Sequence, residues 1–344
     1  MSKLINKLKL ISPVQKSLKK KTIVTSLKLI ITIVLLYIIA KRFDIQKFGE
    51  LFLNVNIHYL MPVLIINNIH RIFMAYKWNL LIKTKDLSCP FFFLIRGYYL
   101  SAVLGNLLPA TVGEDFIRGY SIYGKNISSE NLISSIIIER ILGTLSLILL
   151  AVISLSVYVR YTHKYFSGNF LFYLIGLLTL LVAGFLVSFN KKISNWVRNK
   201  FDGGGKITQI LNKIYLSYAD YQTHKMILSA FFALSLIGHC FAIFVIYFIA
   251  KSLGINIIFI SMFYTIPTIM LISRIPISIG KLGLQEGAFI ALFALIGLSM
   301  TEAVTVSILT RIVNIISLLP VFIFFVFKNY YQYPGKKKLM GQVR

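Results

Sequence analysis

Pro109-Ala-Thr-Val-Gly113 interrupts an apolar region of about 91–125, and Pro276-Ile-Ser-Ile-Gly280 interrupts a second one of about 257–299. Both stretches fit the pattern P-x-[ST]-x-G. Proline lacks a backbone donor, and glycine adopts conformations that other residues avoid, so each stretch predicts a break between two short helices. In a membrane, such irregular backbone is tolerated only where it faces protein or a water-filled cavity. The two breaks therefore indicate a protein-lined or water-lined interior at two points of the chain.

The composition is that of a membrane protein. Of the 344 residues, 57% are hydrophobic and 14% are charged, whereas a soluble domain is near half apolar and about a quarter charged. This balance excludes a disordered chain, a fibrous repeat and a soluble enzyme. A bilayer is crossed by about 20 mostly apolar residues. Six stretches qualify, at about 22–40, 56–75, 131–157, 168–189, 226–250 and 301–327.

The positive charge lies between these stretches. The 37 lysines and arginines exceed the 11 acidic residues and give a net charge of +26. Basic residues concentrate at both termini and in the loop of about 190–225, and the second span ends near Lys77, Lys83 and Lys85. The positive-inside rule places all of these in the cytoplasm. We therefore predict a multi-pass protein of the cytoplasmic membrane that contacts anionic lipid, with no nucleic-acid partner.

The chain is predicted to be one transmembrane domain with two basic ends. Residues 1–21 form a basic cytoplasmic N-terminus, 22–328 a single transmembrane domain, and 329–344 a basic cytoplasmic tail. The apolar run Leu29–Ala40 follows a long basic segment and lacks a small-residue cleavage site. It is therefore predicted to be a retained anchor rather than a cleaved signal.

The orientation of the spans requires both broken regions to be re-entrant. The first starts and ends on the cytoplasmic side, and the second starts and ends outside. Two units of opposite orientation result, at about 56–157 and 226–328, each with Arg-Ile on its last long span at Arg140-Ile141 or Arg311-Ile312. This is typical of an inverted-topology repeat, although chance is the alternative, since Pro and Gly are common in membrane helices. The predicted fold is all-α and polytopic, with about six full transmembrane helices and two re-entrant broken-helix hairpins.

Ionisable residues inside the spans mark the candidate site. Glu139 and Arg140 lie about nine residues into one span, and Arg311 lies at a comparable depth in another. Charge at this depth is costly and usually functional. One reading is a polar cavity in which arginines bind phosphate and carboxylates balance them. The other is a pair of structural ion pairs between helices, such as Glu139 with Arg118 and Glu286 with Arg311.

Two sets of residues are predicted to form the functional site. The lipid- or substrate-binding set is Asn106, Glu114, Arg118, Glu139, Arg140, Lys281, Glu286 and Arg311. The set that shapes the hairpins is Pro109, Gly113, Pro276, Gly280 and Gly283. His70 and His239 are predicted to be packed or hydrogen-bonded rather than metal ligands. No catalytic residue, metal site or cofactor is predicted, because the usual enzyme motifs are absent from the sequence.

The chain resembles the lysylphosphatidylglycerol synthase transmembrane-region family, also called flippase-like integral membrane proteins. The first motif block is Leu108-Pro-Ala-Thr-Val-Gly113-Glu-Asp-Phe-Ile-Arg118-Gly-Tyr120, followed by Ile138-Glu-Arg-Ile141. The second is Pro276-Ile-Ser-Ile-Gly280-Lys-Leu-Gly283-Leu-Gln-Glu286-Gly-Ala, followed by Thr310-Arg311. A further landmark is Lys77-Trp78-Asn-Leu-Leu81 at the end of the second span. The resemblance covers nearly the whole chain. One departure is Lys281, which follows Gly280 where the family usually has a second glycine.

The resemblance implies a membrane protein that handles lipids. In multidomain members this region is linked to movement of aminoacylated phosphatidylglycerol between leaflets, and a separate soluble domain transfers lysine from tRNA. The predicted organisation has no place for that domain, so we do not expect lysyltransferase activity. Stand-alone relatives are linked with glycolipid or polyprenyl-linked sugar pathways.

The predicted function is that of a lipid translocase. It would move an anionic phospholipid, an aminoacyl-phospholipid or a polyprenyl-phosphate-linked glycolipid between leaflets, with one repeat rocking against the other. The alternative is a membrane enzyme, or an accessory subunit of lipid-linked sugar or phosphatidylglycerol lysyl-transfer pathways. Carboxylates at the hairpins would then act as bases, or a glycosyltransferase or lipid-modifying enzyme would be the partner.

Overall fold

The computed structural model describes residues 25–85, 89–104, 112–122, 128–162, 169–190 and 205–319. Over these ranges the chain is helical and contains no strand, which confirms the predicted all-α class. The helices are α1 Thr25–Ala40, α2 Ile45–Leu53, α3 Leu60–Lys83, α4 Phe91–Leu104, α5 Val112–Ile122, α6 Ser129–Thr162, α7 Asn169–Ser188, α8 Lys206–Asp220, α9 Lys225–Ser252, α10 Phe259–Ile272, α11 Leu284–Phe293 and α12 Met300–Ile316.

Several of these helices are long and apolar enough to cross a membrane. Within the described ranges four stretches meet that test: Ser129–Arg160, Leu171–Ser188, Thr208–Ser252 and Ile279–Ile296. A fifth results if α2 and the helix that follows it, which are bent by 76°, count as one span. The predicted spans 22–40 and 301–327 lie partly outside the described residues, at 22–24 and at 320–327, so the structure does not describe their full lengths. The chain is a multi-pass membrane protein.

Helices α3 and α9 form a central antiparallel pair. Just before α3, the Asn56 N–H donates to the carbonyl of Ser252 at the end of α9, at 2.7 Å. At the other end, the hydroxyl of Tyr221 donates to the carbonyl of Leu81, at 3.0 Å. Each of these helices begins one of the two predicted repeats. Their antiparallel packing therefore gives the two repeats opposite orientations.

The first broken region folds into a hairpin of two short helices, α4 and α5, which pack on each other. They contain 14 and 11 residues, fewer than the roughly 20 needed to cross a bilayer. Cys89, before α4, and Ile122, at the end of α5, lie in one core cluster. Ile82 near the end of α3 and Leu132 near the start of α6 belong to the same cluster. The hairpin therefore returns to the side on which it began, as a re-entrant element does.

The second broken region repeats this arrangement from the opposite face. Helices α10 and α11 contain 14 and 10 residues and pack on each other. Ile257 before α10 and Phe293 at the end of α11 share a core cluster with Leu253 after α9 and Ala303 near the start of α12. Because α9 is antiparallel to α3, this hairpin enters from the face opposite to the first hairpin.

Helix α8 lies in the predicted basic loop of 190–225 and packs against α6. The ring of Tyr218 stacks on that of Phe189, with centroids 5.0 Å apart. The Ser217 hydroxyl donates to Oδ1 of Asn131 near the start of α6, at 2.7 Å. This helix therefore covers the protein end at which the first hairpin begins.

Helix α1 lies outside both repeats and packs against the connection between α10 and α11. The Thr32 hydroxyl oxygen accepts from the Ile279 N–H at 3.0 Å. At Gly283 φ is +76°, and an added Cβ would lie 2.6 Å from Cβ of Leu35. Both the left-handed backbone and the close approach of α1 require glycine at this position.

Replacing Gly283 by alanine is expected to destabilise the protein by about 2–3 kcal/mol, because the Cβ meets Leu35 in a strained backbone. Gly287→Ala is the matched control. It lies on α11, where a Cβ meets nothing within 4 Å, and alanine favours a helix over glycine by about 1 kcal/mol. Thermal unfolding in detergent should show a lower melting temperature for Gly283→Ala alone. Equal melting temperatures would contradict the packing of α1 on this hairpin.

Candidate functional site

Charged side chains from α5 and α6 form a buried cluster. Nη1 of Arg118 donates to Oε1 of Glu139 at 3.0 Å, and Nη2 lies 2.7 Å from the other carboxylate oxygen. The same Nη2 donates to Oδ1 of Asp115 at 3.1 Å. Both Arg118 and Glu139 are buried. Contact through two nitrogens and two oxygens fixes the orientation of both groups, and it forms one of the ion pairs considered from the sequence.

Arg118 also lies against two aromatic rings. Its Cζ is 4.4 Å from the ring centre of Trp78 and 4.7 Å from that of Tyr98. The Tyr98 hydroxyl accepts from Arg118 and donates to Oε1 of Glu139 at 2.6 Å. Nε1 of Trp78 donates to the hydroxyl of Ser135 at 3.1 Å. Aromatic faces attract a guanidinium, so the two rings help to hold Arg118 beside Glu139.

Arg140 follows Glu139 on α6 and contacts a different carboxylate. Its Nε donates to Oδ2 of Asp115, and its side chain is 47% exposed. By helical rise Arg140 lies about 17 Å from the start of α6. A charged side chain at such a depth faces protein or water rather than lipid. The exposed part of Arg140 is therefore expected to face a water-filled crevice.

The second repeat contains an equivalent ion pair. Nη2 of Arg311 lies 2.9 Å from Oε1 of Glu286, which is the other pair considered from the sequence. In both repeats the carboxylate precedes its arginine by 25 residues, as Asp115–Arg140 and as Glu286–Arg311. The carboxylate lies on the second hairpin helix and the arginine on the next long helix in each case. This match supports the inverted repeat independently of the P-x-[ST]-x-G pattern.

The second ion pair also shapes the tip of its hairpin. Nη1 of Arg311 donates to the carbonyl of Gly280 at 3.0 Å. Oε2 of Glu286 accepts from the Gly283 N–H at 2.7 Å, and its Oε1 lies 3.4 Å from the hydroxyl of Ser307. The Arg311 side chain remains 32% exposed. The pair thus closes the tip while part of the guanidinium stays accessible.

The second hairpin reaches the cluster of the first repeat. Arg274, two residues past α10, donates from Nη1 to the hydroxyl of Thr144 at 2.7 Å. Thr144 lies one helical turn beyond Arg140 on the same face of α6. The Arg274 side chain is exposed and interacts electrostatically with Arg140 and Glu139. The candidate site is therefore built from both repeats.

Lys77 lies in the protein interior, although the sequence alone places it among the basic residues near the end of the second span. Helix α3 continues to Lys83, and Lys77 is 2% exposed. Its Nζ lies 4.6 Å from the ring centre of Phe231 on α9. It interacts electrostatically with Glu139 and Arg274. Lys77 therefore adds a positive charge to the same region.

The two histidines take part in packing and hydrogen bonding. Nε2 of His239 lies 3.1 Å from both the carbonyl of Gly143 and the hydroxyl of Ser146. The ring of His70 stacks on Phe241, with centroids 5.4 Å apart. In the part of the chain that the structure describes, no group of three or more His, Cys, Asp or Glu could hold a metal ion.

Most of the predicted binding residues lie in the two ion-pair clusters: Arg118, Glu139, Arg140, Glu286 and Arg311. Glu114 lies beside Asp115 at the start of α5. Asn106 and Pro109 lie outside the described residues. Gly113 is buried in the first turn of α5, and Pro276 is exposed in the connection after α10.

Five side chains of the site were not predicted from the sequence: Lys77, Trp78, Tyr98, Asp115 and Arg274. Asp115 could have been found from its spacing, because it precedes Arg140 by 25 residues, as Glu286 precedes Arg311 in the second repeat. Arg274 carries a weaker signal, since it directly precedes a proline-broken tip. Trp78 and Tyr98 carry none, because their contact with Arg118 depends on how α3 and α4 pack against α5.

Lys281 has φ +63° and is the non-glycine residue with positive φ among those described. Glycine takes this conformation without strain, which agrees with the second glycine that the resemblance implies at this position. Lys281→Gly is expected to keep or raise stability by up to about 1 kcal/mol, and Lys281→Val to lower it by about 1–2 kcal/mol. Melting temperatures in detergent check this. A valine variant as stable as the glycine variant would refute the left-handed backbone.

Comparison with known proteins agrees with this geometry. The family model described as the lysylphosphatidylglycerol synthase TM region matches residues 25–321. A curated relative, the UPF0104 membrane protein MJ1595 of Methanocaldococcus jannaschii, is 23% identical over 315 residues, which cover 87% of this chain and 93% of the relative. No solved structure matches the chain. Since the family match spans both repeats and both ion pairs, the protein belongs to the lysylphosphatidylglycerol synthase transmembrane-region family.

Proposed function

We propose that the protein is a lipid translocase that moves an anionic lipid between the leaflets of the cell membrane. The lipid would be a phospholipid, an aminoacyl-phospholipid or a polyprenyl-phosphate-linked glycolipid. Membership of a lipid-metabolism membrane family supports a lipid substrate. The observation that carries the proposal is Arg140, a half-exposed arginine deep in α6 that the tip of the opposite hairpin approaches.

The arginines divide into two roles in this proposal. Arg140 and Arg311 keep 47% and 32% of their side chains exposed, so they are able to contact a phosphate. Arg118 is buried and its two terminal nitrogens are bonded to Tyr98, Asp115 and Glu139. It therefore positions the carboxylates rather than binding lipid. A guanidinium fork suits phosphate because two N–H groups meet two oxygens.

Access would alternate through movement of one repeat against the other. The bond between Arg274 and Thr144 joins the second hairpin to α6 of the first repeat. It is one of several polar contacts between the repeats, and breaking one neutral-acceptor hydrogen bond of this kind costs little. We place both termini in the cytoplasm, because the basic segments follow the positive-inside pattern. The first hairpin then enters from the cytoplasm.

Reconstitution into liposomes tests the proposal. Purified protein should make a fluorescent anionic lipid in the inner leaflet accessible to an external quencher, and the lipid should stay chemically unchanged by mass spectrometry. A chemically altered lipid would favour the enzyme alternative. If the lipid is neither moved nor converted, and a glycosyltransferase or lipid-modifying enzyme co-purifies with the protein, the result would favour an accessory subunit.

A further inference from the structure

Lys77 is a buried cation whose charge has no direct partner. It is 2% exposed, and within the described residues its Nζ makes no hydrogen bond or ion pair and lies over the ring of Phe231. An added Cβ on Gly238 would lie 3.9 Å from this Nζ, so α9 approaches the ammonium closely. Burying an unpaired charge is costly unless a counter-ion or ligand compensates it. The side chain therefore points to a missing anion.

Arg274 brings a second cation without a carboxylate partner. Its one hydrogen-bond partner among the described residues is the hydroxyl of Thr144. The Arg274 guanidinium is repelled by Arg140, which has the same charge, and attracted by the carboxylate of Glu139. Two arginines from opposite repeats thus approach the same crevice, and a like charge nearby disfavours the charged form of each, so an added anion would stabilise both.

The local charges do not balance. Lys77, Arg118, Arg140 and Arg274 face the carboxylates of Asp115 and Glu139, which leaves an excess of two positive charges. Nine of the 11 acidic residues lie within the described ranges, and of these Asp115 and Glu139 contact or interact electrostatically with the four cations. Among the described residues, the site therefore offers an excess of two positive charges to a ligand.

We propose that the crevice recognises a dianionic phosphate group on a lipid, either a phosphomonoester or a pyrophosphate, in preference to a single phosphodiester. This rests on the proposed lipid substrate and narrows it. A phosphomonoester carries about −1.5 to −2 charges at neutral pH, which matches the excess of two. A lysylated phosphatidylglycerol carries a net positive charge, so it fits this crevice least. Arg140 and Arg274 contact the dianion from the two repeats, and Lys77 lies behind it.

Lipid binding in nanodiscs of phosphatidylcholine tests the inference. The added probes are phosphatidate, a polyprenyl pyrophosphate, phosphatidylglycerol and lysylphosphatidylglycerol, with inorganic pyrophosphate alone as the soluble arm. Native mass spectrometry should show the two dianionic lipids bound at least about 10-fold more tightly than phosphatidylglycerol, since each further charge-assisted bond contributes about that factor. Tighter binding of phosphatidylglycerol or its lysyl ester would overturn the inference. Pyrophosphate binding as tightly as the lipids would overturn the lipid assignment.

Variants assign the preference to the two cations. Lys77→Met and Arg274→Gln should each reduce the preference for the dianion about 10-fold or more, while Lys251→Met, at the far end of α9, should leave it unchanged. Lys77→Met should also raise the melting temperature of lipid-free protein by about 3 °C, because an unpaired buried charge is removed. An unchanged preference in both variants would contradict the site.

The outcomes separate this inference from the proposed function. Movement of phosphatidylglycerol across liposomes without any dianion preference would leave the translocase proposal intact and overturn the dianion site. Dianion-selective binding without movement of any lipid would support the dianion site and remove the translocase proposal.

Discussion

Glu139→Ala is expected to lower the free energy of unfolding by about 3–5 kcal/mol, because it leaves the buried guanidinium of Arg118 without its principal counter-charge. The Tyr98 hydroxyl loses its acceptor at the same time. Asp115 contacts Arg118 through one oxygen only and also binds Arg140, so it compensates in part at most. Thermal unfolding in detergent, together with the yield of folded protein, measures the loss.

The double variant Arg118→Met/Glu139→Met is the matched control for this prediction. Replacing both members of a buried ion pair by apolar side chains is often neutral or stabilising, whereas removing one member is not. The double variant is therefore expected to recover most of the stability that Glu139→Ala loses. A double variant less stable than Glu139→Ala would show that the ion pair is not the cause. Wild-type stability of Glu139→Ala would show the same.

Arg140→Gln is expected to reduce lipid translocation about 10–100-fold, which corresponds to one or two lost charge-assisted bonds to phosphate. The melting temperature should change little, because half-exposed ion pairs contribute about 0–1 kcal/mol. The translocation rate of Arg140→Lys should fall between those of the wild type and Arg140→Gln, since lysine keeps the charge and loses the planar fork. Rates of fluorescent-lipid movement in proteoliposomes, normalised to the amount of inserted protein, measure the effect.

Arg160→Gln provides the control on the same helix. Arg160 lies in the last turn of α6 and is exposed, so its replacement removes the same charge far from the crevice. It should translocate lipid at the wild-type rate. If both glutamine variants lose activity equally, overall charge rather than the crevice governs transport. If neither loses activity, Arg140 does not contact the lipid.

The repeat architecture was predictable because membrane physics restricts the choices. The two proline-broken regions are too interrupted to be ordinary spans, and the distribution of basic residues fixes which side each must return to. The antiparallel pair α3 and α9 then follows, since each helix begins one repeat. The bend of 76° between α2 and the next helix was missed, because a short amphipathic segment between spans resembles a loop in sequence.

The charged site was predictable in part. Glu139, Arg140 and Arg311 stand out as charges within apolar runs, and both ion pairs considered from the sequence are present. Lys77 was not distinguishable from lysines at span ends, and Arg274 stood out only by its place beside the second proline-broken tip. Their significance depends on tertiary packing, because α9 buries Lys77 and the second hairpin brings Arg274 to Thr144.

The central claim is that water reaches the arginines in the middle of the membrane. Single-cysteine labelling tests it, with Cys89 and Cys240 replaced by alanine and a cysteine placed at Thr144, beside Arg274, or at Leu180, on the outward face of α7. In intact proteoliposomes a charged thiol reagent should modify Thr144→Cys readily and Leu180→Cys hardly at all. Labelling of Leu180→Cys but not of Thr144→Cys would contradict the crevice and, with it, the path proposed for the lipid headgroup.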